Sequence, residues 1–221
     1  FGGGDALAAT RLRLYDSAGG LLAANEGWGN VADVALAFAR TGAFPLAAGS
    51  ADSAALVTLA PGTYTMEVVD SRGTGGVALA EIYDADAGSG SRLVNLSGRG
   101  AAGSGGAALI SGFVLAGDAP SRLLLRGVGP GLAKFGAFGV LADPAIVLFG
   151  SDGRELGSND NWVSSVPQIS SAAAGAGAFA LEAGSKDAAV LATLAPGAYT
   201  IQVKAGAGAA GAALLEIYEV R

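Results

Sequence analysis

The chain has 221 residues, 51% of them apolar and only 14% charged, and carries a net charge of −6. Histidine and cysteine are absent, which excludes Ser-His-Asp and Cys-His nucleophiles, His or Cys zinc sites, and disulfides. Net negative charge with only three lysines argues against nucleic acid and anionic membrane surfaces, and no apolar run is long enough for a membrane-spanning helix, so no membrane insertion is expected.

The chain opens at Phe1 rather than Met, the form of a mature or trimmed product, and no signal peptide is visible. A short strand is expected at Arg11 to Tyr15. A glycine-containing turn and a second short strand follow, leading to Asn25-Glu26-Gly27-Trp28. Val31 to Thr41 is rich in alanine and suits a helical turn or two. A strand through Gly42-Ala43-Phe44 and another before Pro61-Gly62 come next. Pro presets φ and Gly accepts φ > 0, so Pro-Gly marks a turn. Beyond it Tyr64, Met66 and Val68 alternate with Thr65 and Glu67, the period of a half-buried strand. A glycine-rich hairpin loop leads to a closing strand ending at Glu81-Ile82-Tyr83.

Arg92 to Lys134 has no counterpart before it. Leu93 to Leu96, Ala108 to Leu115 and Arg122 to Val128 read as three strands, followed by Gly129-Pro130-Gly131. The pattern of the first 86 residues then returns. Arg11 to Tyr15 recurs as Ala145 to Phe149, and Asn25-Glu26-Gly27-Trp28 as Asn159-Asp160-Asn161-Trp162, offset by 134. After one inserted residue, Ser50 to Asp86 matches Ser185 to Arg221 at 19 of 37 positions. Many short strands with turns every 8–12 residues or so indicate a sandwich rather than βαβ units. The expectation is an all-β protein of two tandem, jelly-roll-like β-sandwich repeats, each with a short helical turn. Residues 1–86 form a first copy lacking its front strands. Residues 87–221 form a complete second copy, with 87–134 as its front segment.

A sandwich without front strands exposes unpaired backbone and apolar side chains. Three resolutions are open: the middle segment serves both copies, a neighbouring molecule donates a strand, or the first copy needs no front. Donation would be β-augmentation, and head-to-tail donation builds a filament unless it closes a ring. The candidate assembly residues are Leu109, Ile110, Phe113, Val114, Leu123, Leu124 and Leu125 in the front segment. A surface poor in charge and rich in Ala and Gly suits burial against further copies of the chain.

The other candidate sites are polar. Asn159, Asp160 and Asn161 offer oxygen to calcium, and Trp28 and Trp162 offer rings for stacking on a glycan. An EF-type loop needs about five oxygen ligands in twelve residues, which this stretch lacks; an Asx turn beside a packed Trp explains the same pattern. Asp52 and Asp187 precede apolar strands and suit turn or cap roles. Glu81 and Glu216 lie inside closing strands, where a solvated face is expected. Tyr64 and Tyr199 suit core rings whose hydroxyls bond near a sandwich corner. Gly127-Val128-Gly129-Pro130-Gly131 lacks the Lys-Ser/Thr of a phosphate loop, and Asn95-Leu96-Ser97 is a glycosylation sequon within an expected strand. No catalytic residues and no resident cofactor are expected.

The ordered motifs Arg92-Leu93-Val94-Asn95-Leu96-Ser97, Ile110-Ser111-Gly112-Phe113-Val114, Leu125-Arg126-Gly127-Val128-Gly129-Pro130, Leu141-Ala142-Asp143-Pro144, Asn159-Asp160-Asn161-Trp162 and Leu194-Ala195-Pro196-Gly197-Ala198-Tyr199-Thr200 cover essentially the whole chain. Together they resemble a repeat domain of secreted bacterial surface proteins of Verrucomicrobia-like genomes. The second half of each copy is loosely similar to the bacterial pre-peptidase C-terminal domain, a β-sandwich with a similar Pro-Gly-x-Tyr-Thr strand. The first copy departs from the pattern, with Ala9-Thr10 in place of Asp143-Pro144. Both resemblances imply export and a non-catalytic role. The expected function is therefore that of a non-enzymatic extracellular or cell-surface structural protein, a filament or matrix subunit that partners itself by strand complementation. The alternative is a carbohydrate-binding or adhesive module using the two tryptophans.

Overall fold

The computed structural model describes residues 6–86, 90, 92–104, 107–162 and 167–220. The chain divides into two compact units, Phe1–Arg92 and Leu93–Arg221. The copy boundary expected at residue 87, and the opening Phe1-Gly2-Gly3-Gly4 of the repeat, lie outside the described residues.

The first unit holds β1 (Thr10–Tyr15), β2 (Leu21–Glu26), α1 (Ala32–Thr41) and β3 (Thr65–Asp70). Its three strands form one antiparallel sheet in the order β2-β1-β3. Asp16 closes the β1–β2 turn by accepting from the amides of Ala18 and Gly20 at 2.9 and 2.8 Å. α1 ends on Gly42 in the left-handed conformation, with Asp33 in its first turn and Arg40 in its last, the charge order that suits the helix dipole. Its buried face, Val34 and Ala37, continues into a tilted contact between Phe38 and Trp28.

The second unit holds β4 (Asn95–Ala102), β5 (Leu109–Leu115), β6 (Ser121–Val128), a 3₁₀ turn (Pro130–Phe135), β7 (Pro144–Gly150), β8 (Glu155–Asn159), α2 (Pro167–Gly175), β9 (Ala188–Leu194), β10 (Gly197–Ala205) and β11 (Gly211–Glu219). Two four-stranded antiparallel sheets result, β5-β10-β7-β8 and β4-β11-β6-β9. The all-β, sandwich-type architecture expected from the sequence is the one the chain adopts. Leu123 and Leu125 of β6, Ile146 and Leu148 of β7, Ile201 and Val203 of β10, and Leu215 and Ile217 of β11 fill the space between the sheets. Leu124, on the other face of β6, packs with Trp162 and with Ile169, Ala172 and Ala173 of α2. β6 is thus covered on both faces, which is why its sequence runs apolar instead of alternating.

Both tyrosine strands close a corner. Tyr199 donates its hydroxyl to the carbonyl of Ala195 at 2.8 Å, and Tyr64 to that of Ala60 at 2.7 Å. Tyr199 also stacks on Phe113 of β5. Tyr199→Phe keeps the stack and removes the bond. It is expected to cost the second unit about 1 kcal/mol in urea unfolding, and no change in midpoint would count against the corner.

Several expected strands are absent. Gly42-Ala43-Phe44 and Gly177-Ala178-Phe179 are turn and irregular chain: Gly42 and Gly177 sit at φ 75° and 73°, and Ala178 turns inward to pack beside Trp162. In the first unit the segments corresponding to β9 and β11, Ser53 to Leu59 and Gly76 to Asp84, are also not strands. The reason is visible in the second unit. There β6 lies between β9 and β11 and supplies both ladders, and the first unit has no described counterpart of β6. A strand without a neighbour leaves its amides and carbonyls unpaired.

Candidate functional site

The second unit shows what its front segment does. β6 pairs antiparallel with β9 and β11, and the register places Arg126 between Ala189 and Glu216. Arg126 is 0% exposed. Its Nε donates to Glu216 Oε2 at 2.8 Å, and its Nη2 donates to the same oxygen. Nη1 donates to the carbonyl of Phe179, and the guanidinium lies 4.3 Å from the centre of the Phe179 ring and 5.6 Å from that of Tyr218. Tyr218 donates to the other oxygen of Glu216 at 2.6 Å. Burial, reinforced by this carboxylate, raises the Tyr218 phenol above its ordinary value. The solvated face expected for Glu216 is therefore a buried, fully partnered charge pair. The cause is Arg126, 90 residues away in sequence.

Just beyond β6, Asp187 caps the following turn. It is fully buried, and its Oδ1 accepts from the amides of Gly129 and Gly131 at 2.9 and 3.1 Å. Ser185 donates to its Oδ2 at 2.7 Å and accepts from Trp162 Nε1 at 3.0 Å. Glycine is required here on space alone: a Cβ on Gly129 would sit 2.0 Å from the carbonyl oxygen of Leu141.

The first unit repeats the flanks of this arrangement. Leu7 donates its amide to Val77 as Leu141 does to Ala212, and Trp28 donates to Asp52 as Trp162 does to Asp187. The flanks of the missing strand therefore start from the same anchors. Tyr83 donates to Glu81 at 2.9 Å, matching Tyr218 and Glu216. Burial and Glu81 raise the Tyr83 phenol as well. The groups partnered through β6, the glycine turn after it and Asp187 in the second unit are less well partnered in the first, among the described residues. Asp52 is exposed with no side-chain bond, Glu81 uses one oxygen only, and Ser50 Oγ is buried without a partner. Phe44, the twin of Phe179, is 53% exposed. Leu56, Val57 and Leu59 on one flank, and Val77, Leu79, Ile82 and Tyr83 on the other, are exposed apolar residues.

The candidate assembly residues lie in the second unit. Leu123, Leu124 and Leu125 are core residues of β6, both of whose edges are paired within that unit, so they are not free to leave it. Leu109, Ile110, Phe113 and Val114 lie on β5, an edge strand bound to β10, with Leu109 and Phe113 turned to the core and Ile110 and Val114 to solvent. Trp28 and Trp162 are 6% and 7% exposed, and each indole donates to backbone, Ala47 and Glu182 respectively. Neither presents a ring face to a glycan. Asn159 is structural: its oxygen accepts from Ala189 and its amide donates to the carbonyl of Asn161, as Asn25 does with Ala54 and Gly27. Its oxygen is therefore engaged, and Asp160 accepts from the Asn161 side chain. Among the described residues no three acidic, His or Cys groups gather to hold a metal, and no helix is long and apolar enough to cross a membrane.

No family model and no curated protein matches the chain. Among solved structures the chain is similar to the pre-peptidase C-terminal domain of collagenase from Bacillus anthracis, at 11% identity and a TM-score of 0.35, over 56% of this chain and 89% of that one.

Proposed function

We propose that the protein is a non-enzymatic extracellular structural protein, a building block of a bacterial surface filament or matrix, whose joint is the open face of the first unit. One observation carries this reading. Ser53 to Leu59 and Gly76 to Asp84, whose counterparts form β9 and β11 around a central strand in the second unit, form no strand ladder in the first among the described residues, and a row of their apolar side chains is exposed between the same anchors. Such a face is completed by an added strand: backbone bonds supply affinity, and side-chain pockets supply specificity. β6 of the second unit is paired on both edges in its own core, so the added strand comes from elsewhere, and in this reading a neighbouring polypeptide supplies it as a front-type segment. Electron microscopy of the native preparation, without crosslinker, is expected to show regular fibres with a strand seated between Ser53–Leu59 and Gly76–Asp84. Dispersed particles in which those segments stay unpaired would overturn the reading.

A further inference from the structure

Resting on that reading, we propose that the first unit selects its donor by an arginine–glycine pattern, Leu-Leu-Arg-Gly-x-Gly-x-Gly, carried on an extended segment of a neighbouring polypeptide. The pattern is that of Leu124 to Gly131, and each of its positions has a receiver in the first unit.

Offsetting the second unit's register by 135 places the donor's arginine between Ala54 and Glu81. There its guanidinium meets the unused oxygen of Glu81, and Phe44, the exposed sequence twin of the Phe179 that lies under Arg126, is the ring available to it. The leucine before it falls between Ala55 and Ile82, and the one before that between Leu56 and Tyr83. Two turns of chemistry follow the arginine. The second and third glycines direct their amides at Asp52, as Gly129 and Gly131 do at Asp187. Space holds the second to glycine, since in the second unit a Cβ there would meet the Leu141 carbonyl at 2.0 Å, and it is tight at the first and third, where a Cβ would meet Val203 at 3.1 Å and Asp187 itself at 3.0 Å. Val68, Leu7 and Asp52 stand at the corresponding places in the first unit.

Charge complementarity fixes the sign. The receiver offers two carboxylates without cationic partners among the described residues, and the donor brings one cation and two N–H groups. Ordering of Asp52 by the donor also gives Ser50 Oγ an acceptor, as Ser185 has in Asp187. Apolar burial alone would accept any hydrophobic strand; the arginine and glycines reject those that lack them.

The test adds a synthetic peptide with the sequence of Ser121 to Leu132 to the full 221-residue chain. Calorimetry gives the affinity, and hydrogen exchange with mass spectrometry locates the peptide. Protection is expected at residues 54–59 and 77–83. Arg126→Ala in the peptide, or Glu81→Gln in the chain, is expected to weaken binding roughly ten- to a hundredfold. Glu81→Arg in the chain with Arg126→Glu in the peptide is expected to restore part of that loss. Since Glu81 is exposed, unchanged unfolding of the first unit, read through Trp28 in a Trp162→Phe background, verifies that the variants fold. Tight binding indifferent to both charge variants would overturn the pattern and leave strand complementation standing. Protection confined to 188–194 and 211–219 would mean displacement of β6 in the second unit, and would overturn the assignment, as would no binding at all. Strand complementation itself fails only if the native preparation shows the first unit unfilled.

Discussion

Arg126→Ala is expected to destabilise the second unit by about 3–5 kcal/mol, the usual cost of removing one partner of a buried ion pair. The guanidinium is fully buried and serves Glu216, the Phe179 carbonyl and two aromatic faces at once. Truncation leaves the Glu216 carboxylate stranded between sheet and helix, with only the Tyr218 hydroxyl as a partner. The two tryptophans fall one to each unit, so a Trp28→Phe background makes Trp162 fluorescence a reporter of the second unit alone in urea unfolding. Replacing both charges, Arg126→Met with Glu216→Gln, is expected to recover much of the loss, because the stranded charge is then gone. A single-variant loss below about 1 kcal/mol would be incompatible with the pair as described.

Asp187→Ala and its twin Asp52→Ala are expected to behave oppositely. Asp187 is fully buried and accepts from two glycine amides and the Ser185 hydroxyl. Its removal orphans two buried backbone donors, at about 1–3 kcal/mol each. A loss of roughly 2–5 kcal/mol in the Trp162-reported transition is the expected result. Asp52 is exposed and accepts nothing from its side chain's surroundings among the described residues. Asp52→Ala is expected to fall within about 0.5 kcal/mol of the parent, read through Trp28 with Trp162→Phe as background. Equal losses at the two positions would show that Asp52 already holds a glycine turn, and that the first unit is closed.

Much of the fold could be read from local pattern. The alternation around Tyr64 and Tyr199, the Pro-Gly turns and the unbroken apolar run of β6 each correspond to an element. Within the alanine-rich Val31 to Thr41, Ala32–Thr41 is a helix. What could not be read depends on partners far along the chain. Glu81 and Glu216 share the context Ala-Leu-x-Glu-Ile-Tyr, and alternation assigns both to a solvated face; only the arrival of β6 separates them. The strands expected at Ser53 to Leu59 and in the first closing segment fail for the same reason: propensity proposes a strand, and a neighbour decides it. Arg126 itself went unnoticed as a site residue. The available signal was an arginine set inside a strand that is apolar on both faces, together with a glutamate kept at one place in both copies. The tryptophans gave the opposite lesson, since a polar motif beside an indole marked a packed corner and not a binding surface.

β11, the last of the described strands, is an interior strand of its sheet and holds β4 on one side and β6 on the other. The pairing of Leu96 with Ile217 and of Leu125 with Ile217 spans most of the second unit's length. High contact order of this kind makes closure slow, since loop entropy is lost before most native contacts form. A chain emerging from a ribosome therefore cannot seal this sandwich piecemeal. Until β11 arrives, β6 has one of its two edges open, so the emerging molecule holds a core strand paired on one side alone.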